Sequence, residues 1–325
     1  MDLQRATIIG AGTMGLGIAE CFALAGMTVV LIDANPSLSE VALERLARRV
    51  AAQVDAGLLG PSARDRAAAV STKPDLASAL ADAELILEAV PESLDIKREV
   101  LSACGSHAPD HAIITTNTSS LPIDQLAAFV SHRERFLGMH WFNPPEWTPA
   151  VEVIPSADTD AQVVQRALAF LQSIGKRPAM VGSGPGFVAN RIQFALFREA
   201  VACVAEGLAT PRELDELVRG SFGFRLPFYG PFQIADMAGL DVYSNIFEVL
   251  EKGLGEAWEP PEFLQGVVDG GRRGVKSLAG FYQYSEDERD SMLLERDRRY
   301  AALSRLLDEL PPQNFMAGGE TDEAD

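Results

Sequence analysis

Basic residues are scarce in this 325-residue chain: 28 Lys and Arg stand against 46 Asp and Glu, a net charge of -18. A surface of that sign repels a phosphate backbone, so a non-specific nucleic-acid binder is excluded. Cysteine is scarcer still. Cys21, Cys104 and Cys203 are an odd number, lie far apart and form no Cys-x-x-Cys pair, which leaves neither a disulfide framework nor a structural metal to expect. Long hydrophobic runs are missing as well. The longest mostly apolar stretch, Cys21 to Ile32, is interrupted by Gly26 and Thr28 and is too short for a hydrocarbon core of about 30 Å. The opening Met1-Asp2-Leu3-Gln4-Arg5 leads into an apolar strand without the basic segment and cleavage site of a secretion signal. The expectation is a cytoplasmic protein that spans no membrane. What is present is the balance of a folded globular chain, 47% hydrophobic and 23% charged residues, and the length suits two domains.

Short apolar runs alternate with helical periodicity over the first half. Strands are predicted at Ala6–Gly10, Thr28–Asp33, Glu84–Glu88, Ala112–Thr116, Arg135–Met139, Val151–Ile154 and Pro178–Val181. Helices are predicted between them, among others at Met14–Leu24, Ser37–Ala56 (Asn35 as cap, Pro36 in the first turn), Ile96–Cys104, Ile123–Phe129 and Gln162–Ile174. Such alternation predicts a mostly parallel sheet with helices on both faces, the doubly wound α/β class. After Gly182-Ser-Gly-Pro-Gly186 only helical periodicity remains. The expected division is therefore a Rossmann domain over residues 1–184, an all-helical domain over 185–310 and a disordered acidic tail over 311–325. The last helix, Asp287–Leu310, carries Leu293, Tyr300, Leu303, Leu307 and Leu310 on one face, for packing on its own domain or for a subunit interface.

Gly10-Ala11-Gly12-Thr13-Met14-Gly15 matches G-x-G-x-x-G, directly after a predicted strand and at the opening of a helix. In that context Gly10 permits the tight turn, Gly12 lets backbone approach a pyrophosphate, and Gly15 lets helix and strand pack closely. The N–H groups at the helix start favour the anion. Asp33 ends the second predicted strand, where a carboxylate accepts hydrogen bonds from the adenosine ribose. The following Ala34-Asn35-Pro36 offers no arginine for a 2′-phosphate. The cofactor predicted is NAD.

Of the four histidines, His107, His111 and His132 fall in polar surroundings and are expected to be exposed. His140 follows a strand and precedes Trp141-Phe-Asn-Pro-Pro145; carboxyl ends of strands are where ligands bind in such sheets. Together, the glycine motif, Asn117-Thr-Ser-Ser-Leu121, His140-x-Phe-Asn-Pro144, Glu152, Pro185-Gly-Phe-Val-Ala-Asn-Arg191, Gly230-Pro-Phe232 and Gly274-x-Lys276-Ser-x-x-Gly280-Phe-Tyr resemble the L-3-hydroxyacyl-CoA dehydrogenase family over about residues 5 to 284. The resemblance implies an N-terminal Rossmann domain, a helical domain that serves substrate and makes a homodimer, and oxidation of a hydroxyl with NAD. It casts His140 as general base, Glu152 as the carboxylate that orients the imidazole, and Ser119 and Asn190 as polar groups on the reacting oxygen. Glu92, Lys97 and Asn117 would serve the nicotinamide side of the cofactor.

The chain also departs from the family pattern. Trp141 stands where a Phe is usual, the next loop reads Pro145-Glu-Trp-Thr-Pro149 without a basic residue, and the long second helix ends Val54-Asp-Ala-Gly57 without lysines for CoA phosphates. Arg48, Arg49, Arg64 and Arg66 are nearby substitutes. The His-x-x-Asn-Pro-Pro form and the extension after Tyr284 are similar to a small-acid branch that oxidises carnitine, gulonate or pyridine carboxylates. An acyl-CoA and a small free hydroxy acid are both open as substrates, and Trp141 and Trp147 would either narrow the pocket or pack in core and loop. Two readings of other classes remain: a hydrolase using Ser119, His140 and Glu152, against which stands the missing G-x-S-x-G elbow, and a crystallin-like structural protein, against which stands the intact set of site residues.

Overall fold

The computed structural model describes residues 3–311, so the tail expected to be disordered lies, apart from Pro311, outside the described residues. By compactness the chain divides into Met1–Arg198 and Glu199–Asp325. The first unit starts with β1 (Arg5–Ile9), α1 (Thr13–Leu24), β2 (Thr28–Ile32), α2 (Pro36–Asp55), the short α3 (Ala63–Ala68) and α4 (Leu76–Leu80) and β3 (Leu85–Glu88). It continues with α5 (Leu94–His107), β4 (Ile113–Thr116), α6 (Ile123–Ala127), β5 (Phe136–Trp141), β6 (Ala150–Pro155), α7 (Ala161–Ser173), β7 (Arg177–Met180) and the start of α8 (Ala189–Ala205). The helix start at Asn35-Pro36 is realised as expected, the Asn35 side chain accepting from the Ser37 amide. The seven strands form one sheet in the order β2-β1-β3-β4-β5-β6-β7, in which only β5 and β6 pair antiparallel.

Alternation along the strands splits the core in two. Leu85, Leu87, Leu137, Met139, Trp141, Val151 and Val153 turn to the face covered by α1, α2 and α7, while Ile86, Ile114, Phe136 and Ile154 turn to the face covered by α5 and α6. Each such side chain is fully or nearly fully buried and stabilises by about 1.5–3 kcal/mol relative to exposure. Strand order reverses between β1 and β3, and the carboxyl ends on either side of that point are where such sheets bind ligands.

The second unit is helical. It holds the end of α8, then α9 (Pro211–Gly220), α10 (Pro231–Ala238), α11 (Leu240–Leu254), α12 (Glu262–Asp269) and α13 (Glu286–Glu309). A capping box opens α9 at Thr210 and Glu213, and another opens α13 at Ser285 and Glu288. Tyr300 of α13 packs its ring against Phe224, Phe228 and Tyr229, so this face of the last helix is used within its own unit. Asp236, buried, accepts from the backbone N–H groups of Phe281 and Tyr282 and from the Tyr284 hydroxyl. Part of the Gly274-to-Tyr282 motif is thereby explained: Gly280 lies so close to Asp236 that a Cβ would strike the carboxylate, and Lys276 pairs with Asp241.

Candidate active site

At the switch point, Gly10 adopts φ +110°, and a Cβ there would meet the Ala89 carbonyl oxygen at 2.5 Å. A Cβ on Gly15 would strike the carbonyl of Gly10, whereas nothing lies within 4 Å of a Cβ on Gly12. Two glycines are thus required for close packing of the turn and one faces open space. The first turn of α1 carries no side-chain cap, which leaves N–H groups at a positive helix end. Asp33 stands beside this loop, one carboxylate oxygen accepting from Ala11 N at 2.9 Å and the other from Asn35 N at 3.0 Å. An open glycine cradle, an uncapped helix start and a carboxylate at the end of β2 fit a dinucleotide with a free ribose.

On the neighbouring strands, the β5–β6 register places His140 directly opposite Glu152. Both side chains point to the α5/α6 face, and His140 Nδ1 lies 2.7 Å from Glu152 Oε2. The residues are only 5% and 4% exposed, so water does not compete for this bond. The other Glu152 oxygen accepts from Val188 N and Ala189 N at 3.1 and 2.9 Å, at the start of α8. One carboxylate therefore holds the imidazole and caps a helix. With Nδ1 donating to it, Nε2 is left as the lone-pair nitrogen. Phe142 and Phe187 pack on the ring at 4.6 and 5.6 Å between centroids.

A cavity of about 490 Å³ opens here, lined among others by Met14, Ser119, His140, Asn143, Asn190 and Gln193. Asn190, in the first turn of α8, donates through Nδ2 to the Ser119 carbonyl at 3.4 Å, so the two expected oxygen-binding residues are neighbours. Asn117 also reaches the wall while its Oδ1 accepts from Trp141 N at 2.8 Å, tying the ends of β4 and β5 together. Glu92 lines the cavity too, and its carboxylate accepts from the backbone N–H groups of Ser119 and Ser120 and from the hydroxyls of Thr118 and Ser120. Burial pushes this carboxyl up, but those hydrogen bonds and the Lys97 ammonium outweigh it and hold it below the usual range. Lys97 itself is placed behind the wall. It is 1% exposed, with its ammonium 2.7 Å from the fully buried Glu88 and 3.3 Å from Glu92.

The polar residues on the same wall to which the sequence assigns no role are Asn143 and Gln193. Asn143 sat inside the quoted His140 motif, a signal that was available; Gln193 shares a helix face with Asn190. His107, His111 and His132 are exposed as expected. Trp141 belongs to the cavity wall, but its side chain is core: alternation turns it away from His140, and its indole packs edge-on against Phe22 at 5.7 Å. Trp147 is more than half exposed. Among the substitute arginines, Arg49 pairs with Glu20 and Glu146, Arg64 with Asp55, and Arg66 donates to the Leu24 carbonyl.

Comparison with known proteins gives the same identification. The 3-hydroxyacyl-CoA dehydrogenase NAD-binding domain profile matches residues 5–184, and the C-terminal domain profile of that family matches residues 186–284. The chain is 34% identical over 307 residues, 94% of its length and 99% of the relative's, to a 5-formyl-3-hydroxy-2-methylpyridine 4-carboxylate 5-dehydrogenase of Mesorhizobium japonicum. It is 35% identical over 290 residues, 88% of its length and 99% of the relative's, to a probable 3-hydroxybutyryl-CoA dehydrogenase of Bacillus subtilis. Among solved structures, the 3-hydroxyacyl-CoA dehydrogenase of Archaeoglobus fulgidus superposes with a TM-score of 0.78 at 30% identity, covering 94% of this chain and 99% of that one. The chain belongs to the 3-hydroxyacyl-CoA dehydrogenase family and carries that family's NAD-binding domain ahead of its C-terminal domain.

Proposed function

We propose that the chain oxidises a hydroxyl to a carbonyl with His140 as general base, on a substrate of the 3-hydroxyacyl-CoA type. The observation that carries this is the buried His140–Glu152 pair on the wall that also presents Ser119 and Asn190. His140 Nε2 takes the hydroxyl proton, and Glu152 stabilises the imidazolium that results. The Ser119 hydroxyl and the Asn190 amide hold the reacting oxygen as charge develops on it. When bound, NAD supplies the acceptor for the hydride that leaves the same carbon. Gly10, Gly12, Thr13, Met14 and Gly15 receive its pyrophosphate and Asp33 its ribose; Glu92 and Asn117 serve its nicotinamide side, with Lys97 fixing Glu92 from behind. In this reading residues 1–184 form the cofactor domain and 185–310 the substrate and dimerisation domain. The test is NADH formation with L-3-hydroxybutyryl-CoA, and its loss in His140→Ala.

A small non-CoA hydroxy acid is the second reading. It is favoured by the engagement of Arg49, Arg64 and Arg66 with protein partners, which removes three of the four substitutes for phosphate-binding lysines, and by the similarity to the pyridine-carboxylate enzyme. L-Carnitine, L-gulonate and free L-3-hydroxybutyrate belong in the same assay. The reading also includes a homodimer, supported by the exposed Ile192, Phe194, Phe197 and Val201 of α8, and a cytoplasmic location, which the unpaired Cys21, Cys104 and Cys203 fit.

A further inference from the structure

The loop after β5 carries Phe142 and Asn143 on the cavity wall, and the residues that follow are held from three sides. Pro145 sits on α1 over Gly17, where a Cβ would strike its ring. The Lys176 ammonium, between α7 and β7, donates to the carbonyls of Pro145 and Thr148 at 2.5 and 3.0 Å and lies 5.3 Å from the centre of the Trp141 ring. Arg49 of α2 reaches Glu146 at 3.3 Å and Glu20 of α1 at 2.5 Å. Glu20 is 1% exposed, and burial pushes its carboxyl up against the pull of Arg49. A buried carboxylate left without its cation costs several kcal/mol, so Arg49 is committed to this network.

We propose that Lys176 and the Glu20–Arg49–Glu146 triad are positioning residues that fix the 142–148 loop on α1 and thereby set the cavity wall beside His140. The inference rests on reading His140 as the site of hydroxyl oxidation. The first turn of α1 is the dinucleotide cradle, and the middle of the same helix seats the loop that bears Phe142 and Asn143. Cofactor and substrate walls are thus referred to one rigid element, and Lys176 joins the sheet edge to it through carbonyls that nothing else among the described residues ties down except Cys21 Sγ, 3.4 Å from Pro145 O. A charged donor on two carbonyls is worth more than a neutral one, and the Trp141 face adds to its hold.

The test compares wild type with Lys176→Met, which keeps the length of the side chain and removes its donors, and with Lys176→Arg, which restores a donor. Two readouts are taken: amide exchange across residues 142–148 without substrate, and the separate values of kcat, substrate KM and NAD Kd. Lys176→Met should quicken exchange in the loop and raise substrate KM about tenfold, the scale of one charge-assisted hydrogen bond, with NAD Kd within about twofold, and Lys176→Arg should recover most of the loss. Should Lys176→Met fail to fold, Glu146→Gln gives the same pattern at about threefold in KM, as expected for a partly exposed ion pair. Unchanged exchange overturns the clamp, and faster exchange with unchanged KM overturns its role in the site. A wild-type protein inactive on every hydroxy compound overturns the functional reading instead, since the exchange readout needs no turnover.

Discussion

His140 and Glu152 act as a unit because each fixes what the other does. Glu152 selects the tautomer that leaves Nε2 unprotonated, and the imidazole occupies one of its two oxygens while α8 occupies the other. His140→Ala should lower turnover by about 10² to 10⁴, the usual worth of a general base, with NAD affinity kept, as steady-state kinetics and fluorescence titration will show. Glu152→Gln keeps an acceptor for the α8 amides and loses the charge beside the ring, so a fall of similar size, about 10² to 10⁴ in kcat, should come with an unchanged circular dichroism spectrum. Glu92 makes a prediction in pH. Its carboxyl is held below its ordinary 4.5, so it stabilises the folded state fully above that value and loses the contribution as pH falls through the lower, folded one. Melting temperatures of wild type and Glu92→Gln should therefore differ near neutral pH and converge in acid, with the Lys97 ammonium, the Thr118 and Ser120 hydroxyls and the Ser119 and Ser120 amides the groups that face it. A gap independent of pH would remove the charge from that account. Lys97 shows why such networks escape sequence reasoning: a lysine is by default exposed, and only the fold reveals two carboxylates around it.

Among the elements, the β5–β6 pairing makes the site. Twelve residues separate His140 and Glu152 in sequence, and the alternation of each strand was readable, but nothing local says that these two strands run antiparallel in a mostly parallel sheet. That pairing, not the spacing, brings the side chains together, and the same alternation sends Trp141 into the core beside Phe22. The glycine cradle, by contrast, was readable because backbone geometry there depends on residues within a six-residue stretch. The short α3 and α4 were missed for an equally physical reason: one or two turns carry too few apolar positions to show a period. In the second unit, Asp236 satisfies two backbone N–H groups and one hydroxyl. Asp236→Ala would leave all three without this partner around a buried position, at a cost of about 1–3 kcal/mol for donors that are only partly buried. Urea unfolding should show that loss, and an unchanged midpoint would contradict the role given to the motif around Gly280.

In the whole molecule, the two units divide the roles. The first contains every residue to which a catalytic or cofactor role is given, and the second exposes large apolar side chains on several helices, Leu217, Val249 and Phe263 among them, which a subunit interface would cover. Light scattering should report a dimer. Deleting residues 286–325 removes Tyr300 from the aromatic cluster, so the truncated protein should melt earlier; an unchanged melting temperature would mean that α13 contributes nothing to its unit. Among the described residues no helix is long and apolar enough to cross a membrane. The central claim, that the His140–Glu152 pair takes the proton of a hydroxyl that NAD would oxidise, is tested most directly by following NADH formation from NAD. Wild type and His140→Ala are assayed side by side, on L-3-hydroxybutyryl-CoA and on the free acids L-3-hydroxybutyrate, L-carnitine and L-gulonate. The account predicts turnover of at least one substrate by wild type and its collapse in the variant; equal rates in the two proteins would contradict it.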